Sequence, residues 1–140
     1  MQDKSELVRS LAARLMGLDG NKEFIPLLAS ALEDPSVAVR MEAVQSLGSL
    51  QAHETMEQLV KLLPKEPHVW VRLKILKTIE YWNQPPALNI LIERLDDQDP
   101  AVRFQSLALL EKFTGKKIGM DKEGWQKWYT QEGNSSGPQS

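Results

Sequence analysis

The chain has 140 residues, of which 41% are hydrophobic and 26% charged, and its formal charge is −2. This length suits one domain, and the near-neutral charge argues against a surface that gathers nucleic acid or anionic lipid. The absence of cysteine excludes disulfides, a thiolate nucleophile and thiolate metal ligands. Apolar runs are far shorter than the roughly 20 residues that span a bilayer, and the N-terminus lacks an apolar signal region. We therefore expect a soluble protein with no membrane contact, located in the cytoplasm, or exported if a signal segment has been removed from the chain.

A Val-Arg pair recurs four times along the chain. Its valines stand at positions 8, 39, 71 and 102, at intervals of 31, 32 and 31 residues. An interval of this size with helical spacing of the apolar residues is typical of stacked helical repeats, in which each unit buries a face only against its neighbours. The sequence therefore predicts an all-α protein of the α-α superhelix type.

The first element is an amphipathic helix over residues 4–17, which resembles the second half of a repeat. Helix pairs follow, with repeats over about 22–50, 54–82 and 86–113. Within them we expect first helices over 22–33, 54–63 and 86–96, and second helices over 36–50, 68–82 and 100–113.

The C-terminal part is predicted to close the stack. Residues 114–131 form a connector and a short helix in which Trp125 and Trp128 lie three residues apart, on one face. Residues 1–131 are then a single domain. Residues 132–140 are polar and small, and are predicted to be a disordered tail.

The turns inside the repeats carry a further motif. Leu32-Glu33-Asp34 precedes Val39-Arg40, and Leu95-Asp96-Asp97 precedes Val102-Arg103. This pattern resembles the HEAT repeat family, in which an Asp of the turn and a basic residue six positions later form a ladder along the stack. The resemblance implies a ladder of Asp34 with Arg40 and of Asp97 with Arg103. The middle turn keeps Arg72 but is one residue longer and has Glu66 instead of Asp, so we expect a weakened rung there.

Catalytic residue types are scarce. Metal-dependent HEAT hydroxylases similar to deoxyhypusine hydroxylase use several His-Glu pairs, whereas this chain has only His53-Glu54, and its other histidine is His68. One such pair is too few for a metal site. No phosphate loop or nucleophile motif is present. We therefore expect no catalytic centre, no metal and no cofactor.

Two other HEAT activities remain as alternatives. One is an accessory role related to bilin lyases, and the less favoured one is DNA binding, for which the second helices offer few free basic side chains. Trp70 could stack on a base, but a Trp in the first turn of a helix is more often packed under a loop.

Large apolar residues recur where the helix period predicts solvent. Met41, Leu73 and Phe104 each follow the repeated valine by two positions, about 130° from the buried stripe. They are predicted to form an apolar ridge, bordered by Glu42, Lys74, Lys77 and Gln105, unless they wedge between repeats. The resemblance places second helices on the concave face. The sequence thus favours a non-catalytic scaffold or adaptor that binds another protein or a peptide there, as a monomer.

Overall fold

The structure is a computed structural model that describes residues 4–133. Within this range the regular elements are helices only, and the predicted all-α fold of paired helices is confirmed. The contacts of the chain divide it into two compact units, residues 1–84 and 85–140. No helix of the described part is long and apolar enough to cross a membrane.

The first unit contains five α-helices. The isolated helix α1 spans Lys4–Asp19, and two helix pairs follow it: α2 (Ile25–Ala31) with α3 (Val37–Ser49), and α4 (Met56–Leu62) with α5 (Val69–Trp82). Both first helices are shorter than predicted because each begins as a separate 3₁₀ turn, Lys22–Phe24 before α2 and His53–Thr55 before α4.

The second unit contains the third helix pair and the C-terminal helix. Its α-helices are α6 (Leu88–Glu93), α7 (Pro100–Thr114) and α8 (Lys122–Trp128), with a 3₁₀ turn at Arg94–Asp96 after α6 and a π-helical turn at Tyr129–Gly133 after α8. The helix predicted to begin at residue 86 begins at Leu88, because Ala87 keeps an extended ψ of 117°. Of the tail predicted for 132–140, residues 134–140 lie outside the described range.

The second helices start at polar side chains that cap them. Ser36, His68 and Asp99 each have extended backbone and accept a hydrogen bond from a backbone N–H in the first turn of α3, α5 or α7. At the other end, α5 stops at Asn83 and α7 at Gly115, both with positive φ. These caps fix where each second helix begins and ends.

The second helices pack against each other in the first unit. Helix α3 lies between α1 and α5, and its side chains Val39, Ala43, Val44 and Leu47 are buried. Close approach is possible because glycines lie at the contacts: Gly17 of α1 meets Ser46, and Gly48 meets Thr78 of α5. The Ser46 hydroxyl also donates to the Ala13 carbonyl at 2.7 Å.

The C-terminal helix covers the second unit with one of its two tryptophans. Trp125 is fully buried and its indole N–H donates to the Gly119 carbonyl at 2.7 Å. Trp128 packs edge-on against it, with ring centroids 5.8 Å apart. Lys122 ties α8 to α6 through Glu93 at 3.1 Å.

The glycine contacts generate a matched pair of substitutions. A Cβ at Gly17 would lie only 2.9 Å from the Ser46 Cα and would collide with the Ser46 side chain, whereas a Cβ at Gly48 would lie 3.4 Å from Thr78. We expect Gly17→Ala to destabilise the fold by about 1 to 2 kcal/mol, because overpacking outweighs the helix propensity of alanine. Gly48→Ala is expected to be neutral or stabilising by up to about 1 kcal/mol. Urea midpoints of the two variants test this, and equal effects would contradict the asymmetry of the two contacts.

Candidate functional site

The turn of each repeat is built around one acidic side chain. Asp34, Glu66 and Asp97 each accept a hydrogen bond from the backbone N–H two residues later, at 2.9, 3.1 and 2.9 Å. Six residues after each acid stands an arginine that donates to the acid's own backbone carbonyl. These bonds are 2.9 Å for Arg40, 3.0 Å for Arg72 and 2.7 Å for Arg103. Glu66 therefore occupies the same place in its turn as the two aspartates.

In the first unit, the carboxylates of Asp34 and Glu66 are bound by an arginine of the preceding second helix. Arg9 of α1 holds Asp34 with two bonds of 2.8 and 3.0 Å, and Arg40 of α3 holds Glu66 with two bonds of 2.8 Å. Thus Arg40 contacts the backbone of Asp34 and the carboxylate of Glu66, and not the Asp34 carboxylate as the resemblance implied. Arg9, which sequence reasoning left out of the ladder, is part of it.

The weakened middle rung expected from the sequence is therefore wrong. The Glu66 side chain is 1% exposed and its partner Arg40 is 12% exposed, so this ion pair is more deeply buried than Arg9–Asp34, Arg14–Glu42 and Lys61–Glu57. The longer side chain of Glu reaches the arginine across the longer turn. For Asp34, the hydrogen bond from Arg9 is the main cause that lowers the pKa of the carboxyl below its usual range.

The predicted ridge residues differ in their surroundings. Met41 and Leu73 are half-buried on α3 and α5, whereas Phe104 on α7 is 65% exposed. Met41 and Leu73 lie in the first unit, and Phe104 lies in the second. The structure thus leaves the ridge itself a prediction.

Polar neighbours of the ridge join adjacent second helices. Glu42 accepts two bonds from Arg14 of α1, at 2.6 and 3.1 Å, and Lys74 donates to Gln45 of α3 at 2.6 Å. Lys77 is exposed, and Gln105 on α7 is half-buried. Hydrogen bonds between side chains next to the predicted ridge therefore join α1 to α3 and α3 to α5.

An aromatic and basic row runs along α5. We call Trp70, Leu73, Lys74, Lys77 and Tyr81 the α5 face. Trp70 is 61% exposed and Tyr81 65% exposed. The two residues are eleven positions apart, which rotates the helix by about 20° beyond three full turns, so both rings lie on the same side, roughly 16 Å apart. Trp70 is thus not packed under a loop as expected. The sequence signal that was missed is its spacing of three, four, seven and eleven positions to the other members of the α5 face.

The single His-Glu pair does not form a metal centre. The His53 ring contacts Gln51 at 3.0 Å and Gln84 at 3.2 Å through its two nitrogens, and it packs edge-on against Trp82. Over residues 4–133, no group of three or more His, Cys, Asp or Glu side chains is placed to hold a metal ion. The donor set described here does not fit a metal of the kind that HEAT hydroxylases use.

Comparison with known families decides the class of the repeats. The HEAT repeats model matches residues 1–68 and 56–119. The chain belongs to the HEAT repeat family. The stacked helix pairs and the arginine-bound turns are the physical features of this membership.

Two curated relatives are enzymes by name. The chain is 38% identical to a deoxyhypusine hydroxylase of Candida glabrata over 72 residues, which are 50% of this chain and 22% of the relative. It is 34% identical to the deoxyhypusine hydroxylase of Saccharomyces cerevisiae over 74 residues, 51% of this chain and 23% of the relative. This HEAT chain thus spans less than a quarter of the length of the curated relatives it matches.

These relatives overturn two predictions from the sequence. The interpretation as a non-catalytic scaffold or adaptor is wrong, and so is the expectation that the protein is not an enzyme, because the relatives carry the name of a hydroxylase. Both predictions relied on the scarcity of histidine in this chain. The relatives are longer HEAT proteins, and their further residues do not enter that argument.

The ladder geometry generates a graded prediction. We expect Glu66→Ala to destabilise by about 3 kcal/mol, because it leaves the buried Arg40 without a carboxylate. Asp34→Ala should cost about 1 to 2 kcal/mol, because its partner Arg9 is 39% exposed. Glu57→Ala is the control: its pair with Lys61 lies in solvent, so this substitution should leave the urea midpoint nearly unchanged. Urea unfolding measures the stability of all three variants. A smaller loss of stability for Glu66→Ala than for Asp34→Ala would support the weakened middle rung that the sequence predicted.

Proposed function

We propose that this chain works in a HEAT-repeat hydroxylase of the deoxyhypusine hydroxylase kind, and that its part in catalysis is to bind and orient the peptide segment that carries the substrate side chain. The likeness to two relatives of that name over half of the chain supports the reaction class. The observation that carries the binding role is the α5 face, where two exposed aromatic rings flank two ammonium groups.

The chemistry of the α5 face favours a peptide with acidic side chains. Lys77 is exposed, and Lys74 is half-buried with its ammonium group donating to Gln45. Carboxylates of a bound segment can pair with both ammonium groups, so that binding buries no unpaired charge. Trp70 and Tyr81 offer large rigid surfaces that lose little conformational entropy on binding. Leu73 adds apolar area between Trp70 and the lysines.

Such a hydroxylation would insert one oxygen atom of O₂ into a C–H bond of the substrate, while a reductant supplies two electrons and the second oxygen atom leaves as water. It would require a metal centre that residues 4–133 do not assemble. The chain's own residues are therefore assigned to binding and positioning. The cytoplasmic location expected from the sequence stays a prediction, as do a protein or peptide partner and the ridge of Met41, Leu73 and Phe104.

The test uses a peptide that carries deoxyhypusine between acidic residues, and the same peptide with lysine in its place. We expect the chain to bind the first peptide, and Trp70→Ala to weaken binding about tenfold or more, as loss of an aromatic hot spot does. Lys77→Glu should weaken binding through charge repulsion and make it less sensitive to salt. Fluorescence anisotropy of a labelled peptide measures both.

The matched control is Leu27→Ala, which removes a side chain that is 58% exposed on α2, away from the α5 face. It should leave binding unchanged. The deoxyhypusine assignment is tested separately by comparing the two peptides, because the deoxyhypusine peptide should bind more tightly than the lysine peptide. Equal binding of the two peptides would contradict this assignment, and unchanged binding by Trp70→Ala would contradict the site.

A further inference from the structure

Helix α1 exposes a continuous row of large apolar side chains. We call Val8, Leu11, Leu15 and Leu18 the α1 row; they are 63%, 43%, 61% and 76% exposed. The other side of α1 is occupied, because Ala13 is buried and Gly17 meets Ser46 of α3. Four neighbouring aliphatic side chains on one stripe of a helix form a surface that monomeric proteins rarely leave in water.

The equivalent positions of the next repeat are a helix contact. With Val8 aligned to Val39, the last three residues of the α1 row align with Glu42, Ser46 and Ser49 of α3. Two of these three contact α1: Glu42 binds Arg14 at 2.6 Å, and Ser46 donates to the Ala13 carbonyl at 2.7 Å. The α1 row therefore corresponds to the side of α3 that packs against the preceding helix. At three of these positions α1 has leucine where α3 has a polar residue.

The spacing of the α1 row predicts which helix it receives. The intervals of three, four and three residues are those of a coiled-coil seam. The four positions are also symmetric about residue 13, since positions 8 and 18 have the same midpoint as positions 11 and 15. In an antiparallel pair of identical helices, Val8 would face the second copy's Leu18, and Leu11 would face the second copy's Leu15. A two-fold interface requires such self-complementarity.

We propose that the α1 row is an interface between two copies of this chain, formed by antiparallel packing of α1 on α1. The arginines beside the row do not oppose this contact, because Arg9 is bound to Asp34 and Arg14 to Glu42. The proposal is independent of the hydroxylase assignment and replaces the monomer expected from the sequence. A second copy would remove the exposed aliphatic side chains of the α1 row from water.

The test is the oligomeric state of the full chain by analytical ultracentrifugation over a range of concentrations. The unaltered protein should sediment as a dimer, and Leu11→Glu should raise the dissociation constant by about a hundredfold or more, because each dimer would then bury two unpaired carboxylates. Leu15→Lys should do the same. Circular dichroism of both variants should match that of the unaltered protein, because these side chains are solvent-exposed within one chain.

Mixing the two variants distinguishes the antiparallel arrangement from others. Position 11 faces position 15 across the antiparallel interface, so a mixed dimer pairs the new Glu with the new Lys and keeps one Leu11–Leu15 contact. We expect an equimolar mixture to form heterodimers while each variant alone stays monomeric. A monomeric unaltered protein, a dimer that survives Leu11→Glu, or a mixture that fails to associate would each overturn the proposal. The first of these results would assign the row to further repeats or to a different partner.

Discussion

Arg40 connects two turns, and the stacking of the helix pairs in the first unit depends on this connection. Arg40 donates to the backbone of its own turn at Asp34 and, with two bonds, to the carboxylate of Glu66 in the next turn. Each acid in turn fixes the backbone N–H two residues later, where the cap of the following helix stands. Because all donors and acceptors of this network are paired, it can be partly buried without leaving a lone charge. The start of each second helix and its distance from the preceding repeat are thereby set together.

Small residues allow the second helices to approach once the turns are fixed. Gly17 and Gly48 lie where Ser46 and Thr78 of the following helices press closest. The side-chain pairs Arg14–Glu42 and Lys74–Gln45 also join these helices. The α5 face lies on a helix that is held in this way, which suits the proposed binding of a peptide segment in one orientation. The α1 row is exposed in the part of the chain that the structure describes.

The fold could be predicted from the sequence because the Val-Arg interval and the helical spacing both report burial, which is a local property of each repeat. The ladder was predicted only in part. Glu66 lies six residues before Arg72, as the turn acid requires, but the expected motif has Asp at this position and Glu66 was not recognised as its equivalent. The α5 face was missed because Trp70 was interpreted by itself. Lys77 and Tyr81, seven and eleven positions later, lie on the same side of the helix. The likeness to hydroxylases could not be predicted from the few histidines of this chain, and the relatives extend far beyond the matched residues.

The most direct test of this account is a double-mutant cycle on Arg40 and Glu66, with Arg40→Met, Glu66→Gln and the double variant compared with the unaltered protein in urea unfolding. If the bidentate pair joins the two repeats, each single variant leaves a buried polar group without its partner, and the coupling energy should be about 2 kcal/mol or more. The cycle for Lys61 and Glu57, which pair in solvent on α4, should give less than about 0.5 kcal/mol. A coupling energy between Arg40 and Glu66 as small as that of the exposed pair would contradict the central role of the turn carboxylates.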